Sequence, residues 1–182
     1  MSFDPFTPSP IAGLPDKSWL TTRQLAAIGS VLAVWSWIDV ETQNLLCRLI
    51  KTDSMLAQSL TEDLGPDNRI KALKRLLKTW DHAIYDKNEF RKASLDEALA
   101  ITKWIERNKS LRNQIAHWVW LRSDDETLFG WKHHTMPFLT EDQRPNIERK
   151  VTEIEEFAQE SGKIVVRMNA AYHSFGNLPD WP

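Results

Sequence analysis

The chain has 182 residues, of which 42% are hydrophobic and 26% charged, and it carries a formal net charge of −2. This is the composition of a globular protein that is long enough for one domain with its own core. The near-neutral balance excludes a uniformly basic nucleic-acid-binding protein, and the single cysteine, Cys47, excludes an internal disulfide. The apolar neighbours of Cys47 favour a buried, unreactive thiol.

The N-terminal residues are proline-rich and lack the basic start of a signal peptide. The longest apolar run, residues 25–38, is too short to span a bilayer. A single cysteine is typical of a reducing compartment. Together these features predict a soluble cytoplasmic protein that does not act in a membrane.

Charge is distributed unevenly along the chain. Residues 1–68 have a net charge of −4, residues 69–112 of +6 and residues 113–182 of −4. The basic third can be a solvated helix face or a local footprint for phosphate groups. The sequence leaves both interpretations open.

We expect residues 1–20, which are rich in proline, to form an irregular N-terminal arm. A long helix then begins at Thr21, because Thr21 and Gln24 have capping-box spacing and apolar residues recur every three or four positions for about thirty residues. Asp39 and Thr42 interrupt this apolar stripe. They either meet a solvated gap in the packing or face a functional site.

Residues 51–66 are expected to form a connection that includes one short turn of helix. A second helix follows over residues 67–82, with leucines and isoleucine on one side and lysines and arginines on the other. Such a helix can bind a membrane surface, but the acidic remainder of the chain favours packing in a bundle.

After an irregular piece over residues 86–92, Ser94 and Glu97 have capping-box spacing and predict the start of a third helix. The apolar pattern carries this helix to residues 116–118. The helix is therefore long, and it ends in the most polar and chemically versatile stretch of the sequence.

Two short aromatic runs, residues 118–121 and 127–131, flank a polar turn and predict a small β-ribbon or an ordered loop. The last helix is expected to start between Thr140 and Pro145 and to continue to about Phe175. These elements predict an all-α protein, a four-helix up-and-down bundle with a ribbon or loop before the last helix.

The bundle forms one domain over residues 21–175, followed by a C-terminal tail over residues 176–182. No internal repeat divides the chain. His133 and His134 are adjacent, so on a strand they point to opposite faces, and no ligand of suitable spacing lies nearby. We therefore expect neither a metal site nor a cofactor.

The end of the third helix combines an arginine, an amide and a histidine: Arg112, Asn113 and His117. This set suits a phosphodiester, because histidine moves protons near neutral pH and arginine offers a fork of donors to phosphate oxygens. Asn113 and His117 share a helix face, but Arg112 lies about 140° around the helix from His117. The two act together only if the helix ends between them or a second subunit supplies one of them.

The segment Arg112–His117, which reads Arg-Asn-Gln-Ile-Ala-His, resembles the R-x4–6-H motif of the HEPN domain family. In that family a polar residue commonly follows the arginine. The resemblance implies a helical bundle that works as a homodimer, and a metal-independent endoribonuclease of toxin–antitoxin, phage-defence or RNA-processing systems. On this resemblance Arg112 stabilises the phosphate, His117 is the general acid and base, and Asn113 assists. The implied partners are RNA, a second copy of the chain, and an antitoxin or other protein.

The spacing alone is not specific, since it also occurs at Arg75–His82 and Arg167–His173. In those two places the arginine is followed by Leu76 and Met168 rather than by a polar residue. This difference favours the Arg112 motif over the other two.

Structural explanations of the same residues stay open. His117 can be a helix-terminal histidine bonded to a carbonyl, and Arg112 can form an ion pair with Glu106 or Asp124. The chain would then be a non-catalytic HEPN-like helical module that binds a protein partner or a nucleotide.

Overall fold

A computed structural model describes residues 20–83, 89–132 and 146–175. In these ranges the chain forms α1 (Thr22–Ile50), α2 (Ser54–Thr61), α3 (Pro66–Ala83), α4 (Glu89–His117), β1 (Trp118–Arg122), β2 (Thr127–Lys132), β3 (Asn146–Lys150) and α5 (Val151–Ser174). The predicted mainly helical fold is confirmed. Almost all of the N-terminal arm, and the C-terminal tail, lie outside the described residues.

Helix α1 begins where the capping box places it. The backbone N–H of Gln24 donates to Thr21 Oγ1 at 3.2 Å, and the N–H of Thr21 donates back to Gln24 Oε1 at 2.8 Å. The amide of Gln24 also donates to the carbonyl of Asp124 at 2.8 Å. The cap therefore starts the helix and ties it to the β1–β2 turn. The other end stops at Lys51, which takes the left-handed conformation.

Two ion pairs give the relative direction of α3 and α4. Lys109 Nζ lies 2.9 Å from Asp67 Oδ2, and Lys74 Nζ lies 2.6 Å from Glu106 Oε2. Because the later residue of α3 pairs with the earlier residue of α4, the two helices run antiparallel.

Helices α1 and α5 run parallel. Arg23 pairs with Glu155 near their starts, and Arg48 lies over the ring of Tyr172 near their ends. Helix α2 turns back along α1, because Thr61 at its end accepts a hydrogen bond from Gln43. The described ranges thus hold five helices where the sequence predicted four.

The short helix α2 forms in what the sequence suggested was mostly a connection. The carboxylate of Asp53 accepts hydrogen bonds from the N–H groups of Met55 and Leu56, and Ala57 and Thr61 are buried. A good N-cap together with two buried positions stabilises eight helical residues.

The core joins all four long helices through aromatic and aliphatic side chains. The rings of Trp35, Trp104 and Phe157 lie 6.1 Å apart, centroid to centroid, and bring α1, α4 and α5 together. The indole N–H of Trp35 donates to Ser161 Oγ at 3.1 Å, so its polar atom is satisfied inside the core. Trp35 and Trp104 are therefore anchors of the core.

The predicted ribbon is confirmed as part of a three-stranded antiparallel sheet of order β1-β2-β3. In the register of β1 and β2, Trp120 lies opposite Gly130. The indole N–H of Trp120 donates to the carbonyl of Ile115 at 3.1 Å. This bond fastens the sheet to the last turn of α4.

Two predicted helix starts are wrong. Helix α4 starts at Glu89, so Ser94 and Glu97 lie inside it, because the residues before Ser94 continue the helix rather than a loop. Residues 146–150 form strand β3, and α5 begins at Val151. Pairing with β2 holds these five residues extended, although their apolar spacing also fits a helix.

Within the described ranges, α1 is long and apolar enough to cross a bilayer by length and composition, with a mean hydropathy of 1.3 over an 18-residue window. The core helix of a soluble protein passes the same test. Ten of the 29 residues of α1 are buried in the bundle.

Candidate functional site

The motif occupies the last two turns of α4. This helix ends at His117, as the sequence predicted. Because the end lies after His117 and not before it, Arg112 and His117 stay on different sides of one regular helix, about 140° apart. The helix end therefore does not bring the two side chains together.

Arg112 lies half-buried between α4 and α1. Its Nη2 atom is 4.0 Å from Asp39 Oδ2, and its Nη1 donates to Asn113 Oδ1 at 3.0 Å. The Nε atom is buried, with no hydrogen-bond partner in the described part of the chain. A separation of 4.0 Å is an ion pair without a hydrogen bond. The guanidinium therefore keeps donor capacity that its own chain does not use.

The partners that the sequence suggested for Arg112 are wrong. Glu106 binds Lys74 instead. The carboxylate of Asp124 accepts the backbone N–H of Glu126 at 2.8 Å in the β1–β2 turn. Both carboxylates bind other groups, and Asp39 of α1 is the acidic residue that lies near Arg112.

Asp39 is the site residue whose role the sequence left open. Burial raises the pKa of this carboxyl, while the charges of Arg112 and Arg69 act in the opposite direction. Thr42, the other polar interruption of the α1 stripe, is satisfied within its helix, because its hydroxyl donates to the carbonyl of Ile38 at 2.7 Å. Only Asp39 of these two residues faces the motif.

A small cavity of about 70 Å³ opens between α1, α3 and α4 at this point. Arg112, Asn113 and Asp39 line it, together with Lys109 and Asp67. This volume holds a few waters or one small polar group. His117 does not line this cavity. Of the three motif side chains, only Arg112 and Asn113 meet there.

His117 is exposed at the end of α4. No hydrogen bond of its ring is formed with any other described residue, so the suggested bond to a carbonyl is not observed there. The ring next to it in sequence, Trp118, stacks on Trp120 with centroids 6.4 Å apart. An exposed imidazole beside this aromatic platform is accessible to a ligand or to a second protein chain.

Several basic side chains of residues 69–112 have partners within the chain. Lys74 and Lys109 each bind a carboxylate, and Arg69 donates to the carbonyl of Glu62 at 2.9 Å. Other basic side chains of α3, such as Lys71, are exposed to solvent. This arrangement favours the solvated helix face over a dedicated phosphate footprint along α3.

In the competing motif Arg167–His173, the arginine is already bound to a carboxylate. Arg167 donates from Nε to Glu97 Oε1 at 2.5 Å and from Nη2 to Glu97 Oε2 at 3.0 Å. Within the described ranges, no group of three or more His, Cys, Asp or Glu side chains is arranged to hold a metal ion. His133 and His134 lie outside those ranges.

Comparison with family models, with curated proteins and with solved structures finds no match for this chain. Its function is therefore argued from the geometry of Arg112, Asn113, Asp39 and His117. These residues offer a tethered guanidinium and an exposed imidazole on two sides of one helix end.

Proposed function

We propose that this chain is an HEPN-like, metal-independent endoribonuclease of the cytoplasm that acts as a homodimer, in a toxin–antitoxin or defence system. The observation that carries the proposal is the state of Arg112. Its guanidinium is oriented by Asn113 and only loosely paired with Asp39, so a phosphate can take over its free donors. His117, five residues later, is exposed and supplies a group that moves protons.

The reaction needs no group beyond these residues and the RNA itself. The 2′-oxygen attacks the adjacent phosphorus, the bond from phosphorus to the 5′-oxygen breaks, and the products are a 2′,3′-cyclic phosphate and a 5′-hydroxyl. One imidazole removes the proton of the 2′-hydroxyl, and a protonated imidazole delivers a proton to the leaving 5′-oxygen. Arg112 stabilises the charge that develops on the phosphate oxygens.

A homodimer brings Arg112 and His117 to one phosphate, although a single chain holds them on different sides of a helix. Arg112 and His117 are about 140° apart on one helix, and one chain supplies only one motif imidazole for the two proton transfers. Two copies related by a two-fold axis bring two helix ends together and provide a second imidazole. Asp39 and Asn113 then act as positioning residues that set the direction of the guanidinium.

The test is RNA cleavage by the purified full chain in the presence of EDTA. We expect cyclic phosphate ends from wild type, and a loss of at least about a hundredfold in rate for His117→Ala and for Arg112→Ala. Arg107→Ala is the matched control, because Arg107 is an exposed arginine of the same helix. Cleavage by His117→Ala at the wild-type rate refutes the proposal.

Mixing wild type with an equal amount of His117→Ala tests the shared site. If the reaction needs His117 from both copies, only the dimers of two wild-type chains are active, so the mixture shows roughly a quarter of the activity of the same total amount of wild type. If each chain acts alone, the mixture shows roughly half of that activity. Far-UV circular dichroism of each variant shows that losses are not due to unfolding.

A second function is favoured by a different observation. Three side chains of α1, Leu25, Trp37 and Val40, are 57%, 60% and 48% exposed. Apolar side chains of this size on a surface are typical of protein contacts. In this alternative the chain is a non-catalytic HEPN-like module that binds a protein partner or a nucleotide. It predicts that wild type cleaves no RNA and that Trp37→Lys abolishes association with the partner while leaving the fold intact.

A further inference from the structure

An open cleft of about 480 Å³ lies between the end of α1, the start of α2 and the end of α5. Its volume falls within the range of about 300–1,000 Å³ that is usual for small-molecule sites. The cations Arg48 and Lys51, the ring of Tyr172 and the amides of Asn44 and Gln58 line it, and no acidic side chain of the described ranges does. The cleft is separate from the cavity at Arg112 and shares no lining residue with it.

Arg48 is the unusual member of this cleft. Its guanidinium lies over the ring of Tyr172, 5.4 Å from the centroid, and this side chain is half-buried. Its Nε atom is buried without a hydrogen-bond partner, and no carboxylate of the described chain pairs with it. Taking a guanidinium out of water is costly unless an anion or good acceptors compensate. Stacking on Tyr172 fixes the plane of the Arg48 guanidinium and leaves its N–H edge open to such an anion.

The nearest acid in sequence does not provide that anion. The carboxylate of Asp53 accepts the N–H groups of Met55 and Leu56 and so caps α2. Among the described residues, no acidic side chain therefore lines the cleft beside Arg48.

Gln43 also lines the cleft, and the hydrogen bonds of its side-chain amide fix the orientation of that amide. The hydroxyl of Thr61 donates to the carbonyl of Ala57 at 2.8 Å, so it can only accept a bond from Gln43. The amide of Gln43 must then present its NH₂ group to Thr61 and to Cys47 Sγ, which fixes its orientation. Its Oε1 atom is buried without a donor among the described residues. Cys47 is thus half-buried beside a polar network, rather than fully buried as its neighbours suggested.

We propose that this cleft binds a small phosphate ester. The phosphate takes donors of the Arg48 guanidinium, while the neutral amides of Asn44 and Gln58 offer further donors. The volume exceeds what inorganic phosphate needs, so the site fits a phosphate ester. This proposal does not rest on ribonuclease activity.

The test is isothermal titration of the full chain with inorganic phosphate and with glycerol 3-phosphate, at constant ionic strength set with chloride. We expect saturable binding of the ester, and a loss of roughly 10- to 100-fold in affinity for Arg48→Met, since a hydrogen bond to a charged group is removed. Arg107→Met, an exposed arginine on α4, keeps the wild-type affinity. Tighter binding of the ester than of phosphate identifies the ester as the ligand class, and equal binding identifies free phosphate.

Two further measurements keep the proposal testable. Arg48→Lys retains the positive charge but not the planar set of N–H donors, so it should bind the ester with intermediate affinity. Without ligand, Arg48→Met should unfold at a urea concentration no lower than wild type, because an unpaired half-buried cation is removed. No saturable binding of either probe by wild type, or equal loss in Arg48→Met and Arg107→Met, overturns the proposal.

Discussion

Replacing Gly130 by alanine places a methyl group against the indole ring of Trp120. A Cβ atom at position 130 would lie 2.6 and 2.7 Å from two carbons of that ring, whereas carbon atoms in contact prefer about 3.5–4.0 Å. The ring must move by about 1 Å, but it is buried and its N–H is bonded to Ile115. Overpacking costs about 1–3 kcal/mol, and loss of that hydrogen bond adds about 1 kcal/mol. We therefore expect Gly130→Ala to destabilise the fold by about 2–4 kcal/mol.

Urea unfolding followed by far-UV circular dichroism measures this effect. The matched control is Gly29→Ala, because a Cβ at position 29 of α1 meets nothing within 4 Å. There alanine should stabilise the helix by about 0.5–1 kcal/mol. A change below about 0.5 kcal/mol in Gly130→Ala would show that the strand and the ring adjust freely, and would refute the reasoning.

Three other substitutions test the core and the charges, each by urea unfolding. Ser161→Ala leaves the buried indole N–H of Trp35 unbonded and should cost about 1–3 kcal/mol, whereas equal stability would imply a replacement acceptor. Arg167 lowers the pKa of Glu97, so Glu97→Gln should cost at most about 1 kcal/mol at pH 7, the pair being partly exposed. The difference in unfolding free energy between wild type and Glu97→Gln should vanish as the pH falls through the lowered pKa of Glu97. A difference that persists in acid would contradict a role for the ionised carboxylate. Burial raises the pKa of Asp39, so Asp39→Asn should gain stability relative to wild type as the pH rises above about 4, and an opposite trend would refute the assignment.

Local signals were sufficient to predict that the long helices exist and where α1 begins. Thr21 and Gln24 cap α1 because their side chains satisfy each other's N–H groups, a property that two residues three positions apart carry in any context. The aromatic runs of β1 and β2 formed strands for a similar reason, since the short turn that pairs them is local. Element type follows from sequence where the stabilising partner lies within a few residues.

Distant partners explain what the sequence could not give. Residues 146–150 are extended because β2 binds them, and their own spacing fits a helix equally well. Ser94 has the spacing of a cap but lies inside α4, since a cap forms only where the preceding residues leave the helix. The partner of Arg112 is Asp39, which is separated by more than seventy positions and by two helices. No periodicity in the sequence brings such residues together.

The geometry of α4 decides what the motif needs in order to work. For Arg112 and His117 to meet within one chain, the last turn of α4 would have to unwind. The hydrogen bond from Trp120 to the carbonyl of Ile115 opposes this, and so does the pairing of β1 with β2 from its first residue onward. Unwinding would break both, at a cost of several hydrogen bonds of about 1 kcal/mol each. If the two residues act on one phosphate, a second copy of the chain therefore supplies one of them more cheaply than a distorted helix does.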